Sequence, residues 1–540
     1  MNGLMMDYQL TLPAILGRAE ELFGHREIVT RLPDRSIHRY AYSDFVSRAK
    51  KLAVALENLG VEKGDRVATL CWNHRQHLEA YFGVPCRGAV LHTLNLRLHP
   101  DDLAYIVDHA EDKVLLVDEN LLPLFEKFKD RVNLEHVVVV SENGAAPDGA
   151  YSYEALLKVA DERDFRYPEL DESAAMGMCY TSGTTGRPKG VVYSHRAIFL
   201  HSLGHMTADS IGMSEADCVL PVVPMFHANA WGLPFSATLT GAKQVFPGPH
   251  LDPGNLLELF ESERVTLTAG VPTIWFGILQ VLDEDPNAYD LSALRAMLVG
   301  GAAAPKSMIQ GFDERHGLRV LQGWGMTETS PLASIAHLRT EIIEKSKDEQ
   351  YEYMARQGYP MPTVEIRARG DEGLVLWDGV SMGELELRGP YIASAYYNAP
   401  ETADKFTEDG WLKTGDIATI DEYGFIKIQD RTKDLIKSGG EWISSVALEN
   451  ALMAHDAVAE AAVVAIPDPK WGERPLAAVV LKEGEVATQE ELIKHLESDF
   501  AGWWLPDRVE FVDEIPKTSV GKFKKSELRE RFAKRVSADA

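Results

Sequence analysis

Tyr180-Thr-Ser-Gly-Thr-Thr-Gly-Arg-Pro-Lys-Gly190 is a run of hydroxyl side chains and glycines that ends on a lysine and a glycine, set between two apolar, strand-like runs. Such a loop offers closely spaced backbone N–H groups, several hydroxyls and one cation, the combination that a triphosphate needs. It is not a Walker A loop: the spacing from Gly186 to Lys189 is wrong, and no Ser or Thr follows the lysine. An ordinary Gly/Ser/Thr cluster reads as a flexible hairpin loop. This string is too unusual for that reading.

Outward from the loop, short apolar runs alternate with helix-length amphipathic stretches through the first half of the chain, as at 66–71, 113–118, 136–140, 190–193 and 296–299. That rhythm predicts an α/β fold with largely parallel sheets. Between about 357 and 430 the texture changes to strand and turn, in VEIRAR, GELELRGP, WLKTGDIATI and FIKIQD. A smaller, barrel-like β unit is expected there. After Asp430-Arg-Thr-Lys433 a small α+β pattern begins again: a helix near 445–455, strands at 461–466 and 476–481, a helix at 489–500 and a strand at 509–512. The expected division is a large N-terminal domain, 1–432, and a small mobile domain, 433–540. No internal repeat or low-complexity tract suggests a solenoid or a disordered tail.

The chain of 540 residues carries 55 Lys plus Arg against 82 Asp plus Glu, a formal charge of −27. A non-specific grip on nucleic acid or an anionic membrane is disfavoured, so any polyanion must be held by local chemistry. The charge is uneven: 433–516 holds 7 basic and 17 acidic residues, whereas 517–535 holds 8 basic and 2 acidic. Cys71, Cys86, Cys179 and Cys218 form no C-x-x-C pair, which suits a reducing, cytoplasmic setting and argues against a structural zinc site. His201 and His205 could share a helix face, but no third zinc ligand lies near them in sequence. No signal-like start and no membrane-length apolar run is present.

TSGTTGRPKG resembles the phosphate loop of the acyl-adenylate-forming superfamily, which includes acyl-CoA synthetases and the adenylation domains of peptide synthetases. Five further segments resemble that family's motifs in its order: Gly300-Gly-Ala-Ala-Ala-Pro305, Gln322-Gly-Trp-Gly-Met-Thr-Glu-Thr329, Thr414-Gly-Asp416, Asp430-Arg-Thr-Lys-Asp-Leu-Ile-Lys-Ser-Gly-Gly440 and Pro516-Lys-Thr-Ser-Val-Gly-Lys522. The resemblance implies ATP, Mg²⁺ and coenzyme A as the molecules handled, together with a small carboxylic acid. It implies a homodimer as well.

Joining a carboxylate to the α-phosphate of ATP sets two anions against each other, so catalysis is mostly neutralisation and alignment. By resemblance, Lys522 bridges the two and Thr327 bonds the α-phosphate. Glu328 and Thr181 hold the metal. Thr181, Ser182, Gly183, Thr184, Thr185, Gly186 and Lys189 cradle the phosphates. Asp416 accepts from the ribose hydroxyls. Trp324, in place of the usual tyrosine, stacks on adenine, with Gly301, Ala302, Gln322 and Gly323 around it. The C-terminal domain is expected to swing about Lys433 after the first half-reaction, withdrawing Lys522 and presenting the face of Gly439 and Gly440 to the thiol arm of CoA. Arg431, Lys437 and Trp442 contact the nucleotide in one of the two states. Val446-Ala-Leu-Glu449 departs from the register common in relatives.

Pro224-Met-Phe-His-Ala-Asn-Ala-Trp-Gly-Leu-Pro234 resembles the acyl-side segment, with His227 beside the carboxylate and Trp231 as wall or gate of the acyl tunnel. Its small residues favour an elongated apolar acid, and no aspartate stands there to hold the amine of an amino acid. FHANAW, GAKQVFPGP and RTKDLIKSGGEWIS are most similar to bacterial medium- and long-chain fatty acid–CoA ligases. The expected reaction makes acyl-CoA, AMP and pyrophosphate through a bound acyl-adenylate. A ligase for a short thioether acid (methylmercaptopropionate) or an aryl acid is the rival. A non-catalytic binder is disfavoured, since it would not need Glu328, Asp416 and Lys522 together.

Overall fold

The computed structural model describes residues 1, 3–181, 187–439, 441–517 and 523–539. Two large sheets face a shared layer of helices. The seven-stranded sheet runs Tyr151–Ser152, His136–Val140, Asp112–Asp118, Arg66–Leu70, Val90–Thr93, Ala175–Tyr180, Gly190–Ser194. All its neighbours pair in parallel except the last, which turns back antiparallel on Ala175–Tyr180. The nine-stranded sheet is parallel through its centre, from Val320–Gly325 to Glu27–Arg31, and antiparallel at both edges.

A helix caught between two sheets is buried on every face, so any polar side chain it carries needs a partner. Every residue of Arg75–Cys86 is buried, and Tyr42–Asn58 packs against it with Phe45, Ala49 and Leu52. The one buried carboxylate in that layer, Glu79, is matched by Arg48 at 2.8 Å and by the Tyr153 hydroxyl at 2.7 Å.

The strand-and-turn texture between 357 and 430 becomes a five-stranded antiparallel sheet with Leu412–Ile420 between Gly383–Arg388 and Ile426–Arg431. Beyond it, Val458–Asp468 and Gly472–Leu481 form a long hairpin, flanked by Ile436–Ser438 and Arg508–Phe511. Helices Ser445–Met453 and Gln489–Leu496 cover one face through Leu448, Leu452, Leu492 and Leu496. The basic tail, read from sequence only as a charge run, folds as helix Lys525–Asp539 on the opposite face. Leu528 and Phe532, one turn apart, anchor it. Among the described residues no helix is long and apolar enough to cross a membrane, and all four cysteines are unpaired and buried.

Burial holds four histidines neutral: His77 and His205 are pushed down to about 3, His195 to about 4, and His201 well below its ordinary value. In the unfolded chain each would take up a proton near pH 6.5. Their depressed values cost nothing above that pH and remove stability as pH falls from 6.5 towards 4. With four protons bound on unfolding, the loss approaches about 5 kcal/mol per pH unit near pH 5. Thermal melts across this range should show Tm falling steeply below pH 6. A flat profile down to pH 4.5 would refute the assignment.

Candidate functional site

A cleft of about 1080 Å³ opens between the large sheets, the five-stranded sheet and the C-terminal unit. Although the chain is strongly acidic, nine basic residues line this cleft against four acidic ones. That is the local reversal of charge a polyanion requires.

The phosphate loop leaves strand Ala175–Tyr180 and returns at Gly190–Ser194. Its neck is closed by the Thr181 N–H donating to Lys189 O at 2.9 Å and the Lys189 N–H to Thr181 Oγ1 at 3.1 Å. Ser182, Gly183, Thr184, Thr185 and Gly186 lie outside the described residues. Lys189 Nζ sits 5.4 Å from the centre of the Tyr396 ring, and the Tyr396 hydroxyl donates to Glu328 Oε1 at 2.5 Å. One tyrosine therefore ties the loop's cation to the carboxylate expected to hold the metal. Glu328 itself occupies the turn Thr327–Thr329 after strand Val320–Gly325, and the Tyr193 hydroxyl fixes that turn by donating to Thr327 O at 2.8 Å. Glycine is obligatory at 325, because a Cβ there would stand 1.8 Å from Pro331 O.

Thr181, Lys189, Gly301, Gly323, Trp324, Thr327 and Glu328 all line the cleft, as do His227 and Trp231. Two of the adenine-side expectations differ. Gln322 is buried and accepts the Ala304 N–H at 2.8 Å, so it braces the 300–305 loop; Ala302, on that loop, is exposed and also outside the lining.

On the five-stranded sheet, Asp416 and Arg431 are register partners across two strands, and Arg431 Nε lies 2.7 Å from Asp416 Oδ1. Thr414, Gly415 and Arg431 line the cleft while the Asp416 side chain lies behind them, 2% exposed. Lys433 lines the cleft, and burial pushes its ammonium down. Lys437 and Gly439 do not reach the cleft: the Lys437 N–H donates to Glu473 and the Gly439 N–H to Trp471 O. Gly440, the Trp442 side chain and Lys522 lie outside the described residues, but Lys517 and Phe523, which bracket Lys522 and bridge to each other, line the cleft.

Helix Ser445–Met453 settles the uncertain register around Val446 by directing Glu449 inward, where Lys525 meets it at 2.7 Å. Lys525 also donates to Ser445 Oγ at 2.6 Å, and Ser445 donates N–H and hydroxyl to Asp430 Oδ2 at 2.7 and 2.5 Å. Burial pushes Glu449 up to about 7 against the pull of Lys525, and Glu449 with Asp430 keeps Lys525 charged. Arg529 completes the clamp on the hinge, donating to Lys433 O at 2.5 Å and pairing with Asp434 at 2.6 Å.

The acyl-side segment adopts an unforeseen backbone. Ala228, Asn229, Ala230, Trp231 and Gly232 have φ of 42, 54, 48, 56 and 75°, a left-handed turn. Each non-glycine residue there costs roughly 1–2 kcal/mol. Neighbouring contacts hold it: Met225 N–H donates to Asn73 Oδ1 at 2.7 Å, Thr93 Oγ1 to Phe226 O at 3.2 Å and Cys179 Sγ to Asn229 Oδ1 at 3.4 Å. The turn lays the Trp231 ring against Gly300, where a Cβ would stand 3.0 Å from the indole. Trp231, with Arg97, His227 and Gly301, lines both the main cleft and a side cavity of about 80 Å³ that Val222, Val271 and Ile274 also line.

Sequence reasoning gave no site role to Tyr396 or Arg97; it weighed His205 only as a zinc ligand, Asp430 only as the start of its motif and Lys525 only as part of a basic run, and tertiary contact brings them together here. Cys71, His74 and Asp118 also gather ligand atoms within 4.8 Å. Their polar atoms are already engaged, since His74 Nδ1 accepts the His77 N–H and Nε2 meets Asp118 at 2.8 Å.

Thr181 and Lys189, the Thr-Glu turn and residues of the C-terminal unit meet on one cleft, with Asp416 buried behind it, and the chain belongs to the AMP-binding enzyme family. The family's main model matches residues 18–397 and its C-terminal domain model 447–522. The chain is similar to the long-chain-fatty-acid–CoA ligase of Thermus thermophilus, 53% identical over 98% of this chain and 96% of that one. It is similar to the 3-methylmercaptopropionyl-CoA ligase of Ruegeria lacuscaerulensis, 41% identical over 98% and 99%. The crystal structure of an anthranilate CoA ligase in complex with anthranoyl-AMP superposes with a TM-score of 0.86 at 26% identity, covering 98% and 99% of the two chains. The protein is an AMP-forming acid–CoA ligase.

Proposed function

We propose that the acid is a medium- or long-chain fatty acid, activated as its acyl-adenylate and passed to CoA. The carrying observation is the apolar share of the cleft that also holds His227: Ile211, Leu298, Val299, Pro331 and Leu332 contribute to its wall. The 53% identity to a long-chain ligase supports it. A short thioether acid is the second reading, favoured by the 41% identity to the methylmercaptopropionyl ligase. Pyrophosphate release over straight-chain acids from propionate to stearate, with aryl acids alongside, separates them. Peak kcat/KM at or above hexanoate is expected, and a peak at shorter acids overturns the fatty-acid reading.

In the first half-reaction the acid's carboxylate oxygen attacks the α-phosphorus and pyrophosphate departs. Lys522 neutralises the approaching anions and Thr327 orients the α-phosphate, while Lys189 and the loop from Thr181 hold the leaving group. Glu328 and Thr181 offer oxygen donors on the same cleft wall, the donor chemistry Mg²⁺ prefers, and the ion when bound supplies charge neutralisation on the phosphates. Asp416 and Arg431 position the ribose and Trp324 stacks on the adenine. In the second half-reaction the CoA thiol attacks the acyl carbonyl and AMP leaves.

The unit 433–540 moves as a domain about Lys433 between the two steps. The placing of Lys517 and Phe523 on the cleft, with Lys437 and Gly439 away from it, supports assignment of this structure to the adenylating state. A cytoplasmic location and a homodimer complete the reading; the first rests on cysteine usage and the second on the family resemblance, and sedimentation tests the dimer.

A further inference from the structure

His205 is fully buried on helix His195–Met206 yet contributes to the wall of the cleft, together with Ile211, Leu298 and Leu332. Its proton can be placed from its neighbours. Ser236 Oγ lies 3.0 Å from Gly232 O and 2.7 Å from His205 Nδ1. A hydroxyl has one hydrogen, and a carbonyl can only accept. Both contacts are satisfied when Ser236 donates to Gly232 O and accepts from His205 Nδ1–H. The other ring nitrogen, Nε2, is then a bare lone pair, and it has no hydrogen-bond partner among the described residues. The adjacent ring of His201, 4.3 Å away and edge-on, accepts the Leu332 N–H on Nε2 at 3.1 Å, and its Nδ1 makes no hydrogen bond to His205.

A buried acceptor without a donor costs about 1–3 kcal/mol. His38, His92, His195 and His201 also leave one buried ring nitrogen without a hydrogen-bond partner among the described residues, but none of those four lines the cleft. Burial pushes His205 down to about 3, so the ring stays neutral and the lone pair stays available at any working pH. Here the orphan nitrogen belongs to a ring on the substrate cavity.

We propose that His205 is a specificity-determining residue that selects an acid carrying a hydroxyl on its chain, the hydroxyl donating to Nε2, over the unsubstituted acid of equal length. The proposal rests on the aliphatic reading of the substrate. A site built to bond a hydroxyl rejects the analogue lacking it, because its own polar atom is then left unpaired.

Matched pairs test it: each straight-chain acid against its monohydroxy isomers, with the hydroxyl walked along the chain and kcat/KM read from pyrophosphate release. One hydroxyl position should be preferred by about tenfold or more over the plain acid. His205→Leu should erase that ratio, whatever it does to the absolute rate on the plain acid. His205→Gln, which moves the acceptor, should shift or shrink the preferred position and serves where the leucine variant does not fold. Aliphatic turnover with no hydroxyl preference, or a preference unchanged in either variant, overturns the proposal alone. Activity confined to aryl acids overturns the aliphatic reading and the proposal together.

Discussion

Replacing Lys522 by alanine is expected to lower the rate of acyl-adenylate formation by about 10²–10³-fold, the range for loss of one charge-stabilising donor. Thioester formation from a supplied acyl-adenylate should be largely spared. The asymmetry follows from the chemistry. Only the first half-reaction presses a carboxylate against a triphosphate, and only there does a bridging cation remove a repulsion absent from the separated reactants. The neighbours Lys517 and Phe523 line the cleft, whereas strand Ile436–Ser438 and Gly439 do not. Pyrophosphate release measures the first step, and CoA-dependent consumption of synthetic adenylate measures the second. Equal loss of both would sink the role assigned to Lys522.

Lys525→Met should carry the largest cost in stability. Lys525 is 11% exposed and balances Glu449, 8% exposed, with Asp430 close behind through Ser445. Removing the cation while leaving two carboxylates in a dry site costs about 3–5 kcal/mol. That is a large share of what a domain of this size holds in reserve. The C-terminal unit should melt or detach first, seen as an early transition in thermal unfolding and as protease cleavage beyond Lys433. Pairing the change with Glu449→Gln should recover part of the loss, because the two share one interaction. An unchanged melt in Lys525→Met would show that the cluster is hydrated.

The α/β rhythm and the switch to antiparallel strands after 357 were legible because each strand had its own apolar pattern, and the observed strands coincide with the runs read at 136–140 and 296–299. Helix Lys525–Asp539 was hidden because the basic excess of 517–535, eight to two, masks the apolar pair, Leu528 and Phe532, that seats it. Glu328, on the turn after strand Val320–Gly325, and Trp324, on the strand itself, line the cleft, whereas the Gln322 amide is taken up by the Ala304 backbone, a contact made in space that no motif announces. Tyr396 and Lys525 escaped notice for a related reason: their partners are 68 and 76 residues away in sequence.

The left-handed turn at 228–232 bears on how this enzyme could acquire a new substrate. A branched side chain at any of its positions would add steric penalty to a backbone already held against its preference. Gly232 is tighter still, since a methyl group there would stand 2.8 Å from His201 Nδ1. This side of the acyl wall is therefore nearly closed to variation, beyond changes in the Trp231 ring itself. On the proposed fatty-acid reading, altered chain length or polarity has to be written at other cleft-lining positions, Ile211, Leu298, Leu332 and His205, where ordinary backbone tolerates exchange. A library confined to those four positions should yield more altered-specificity variants than one of equal size spread along 228–232.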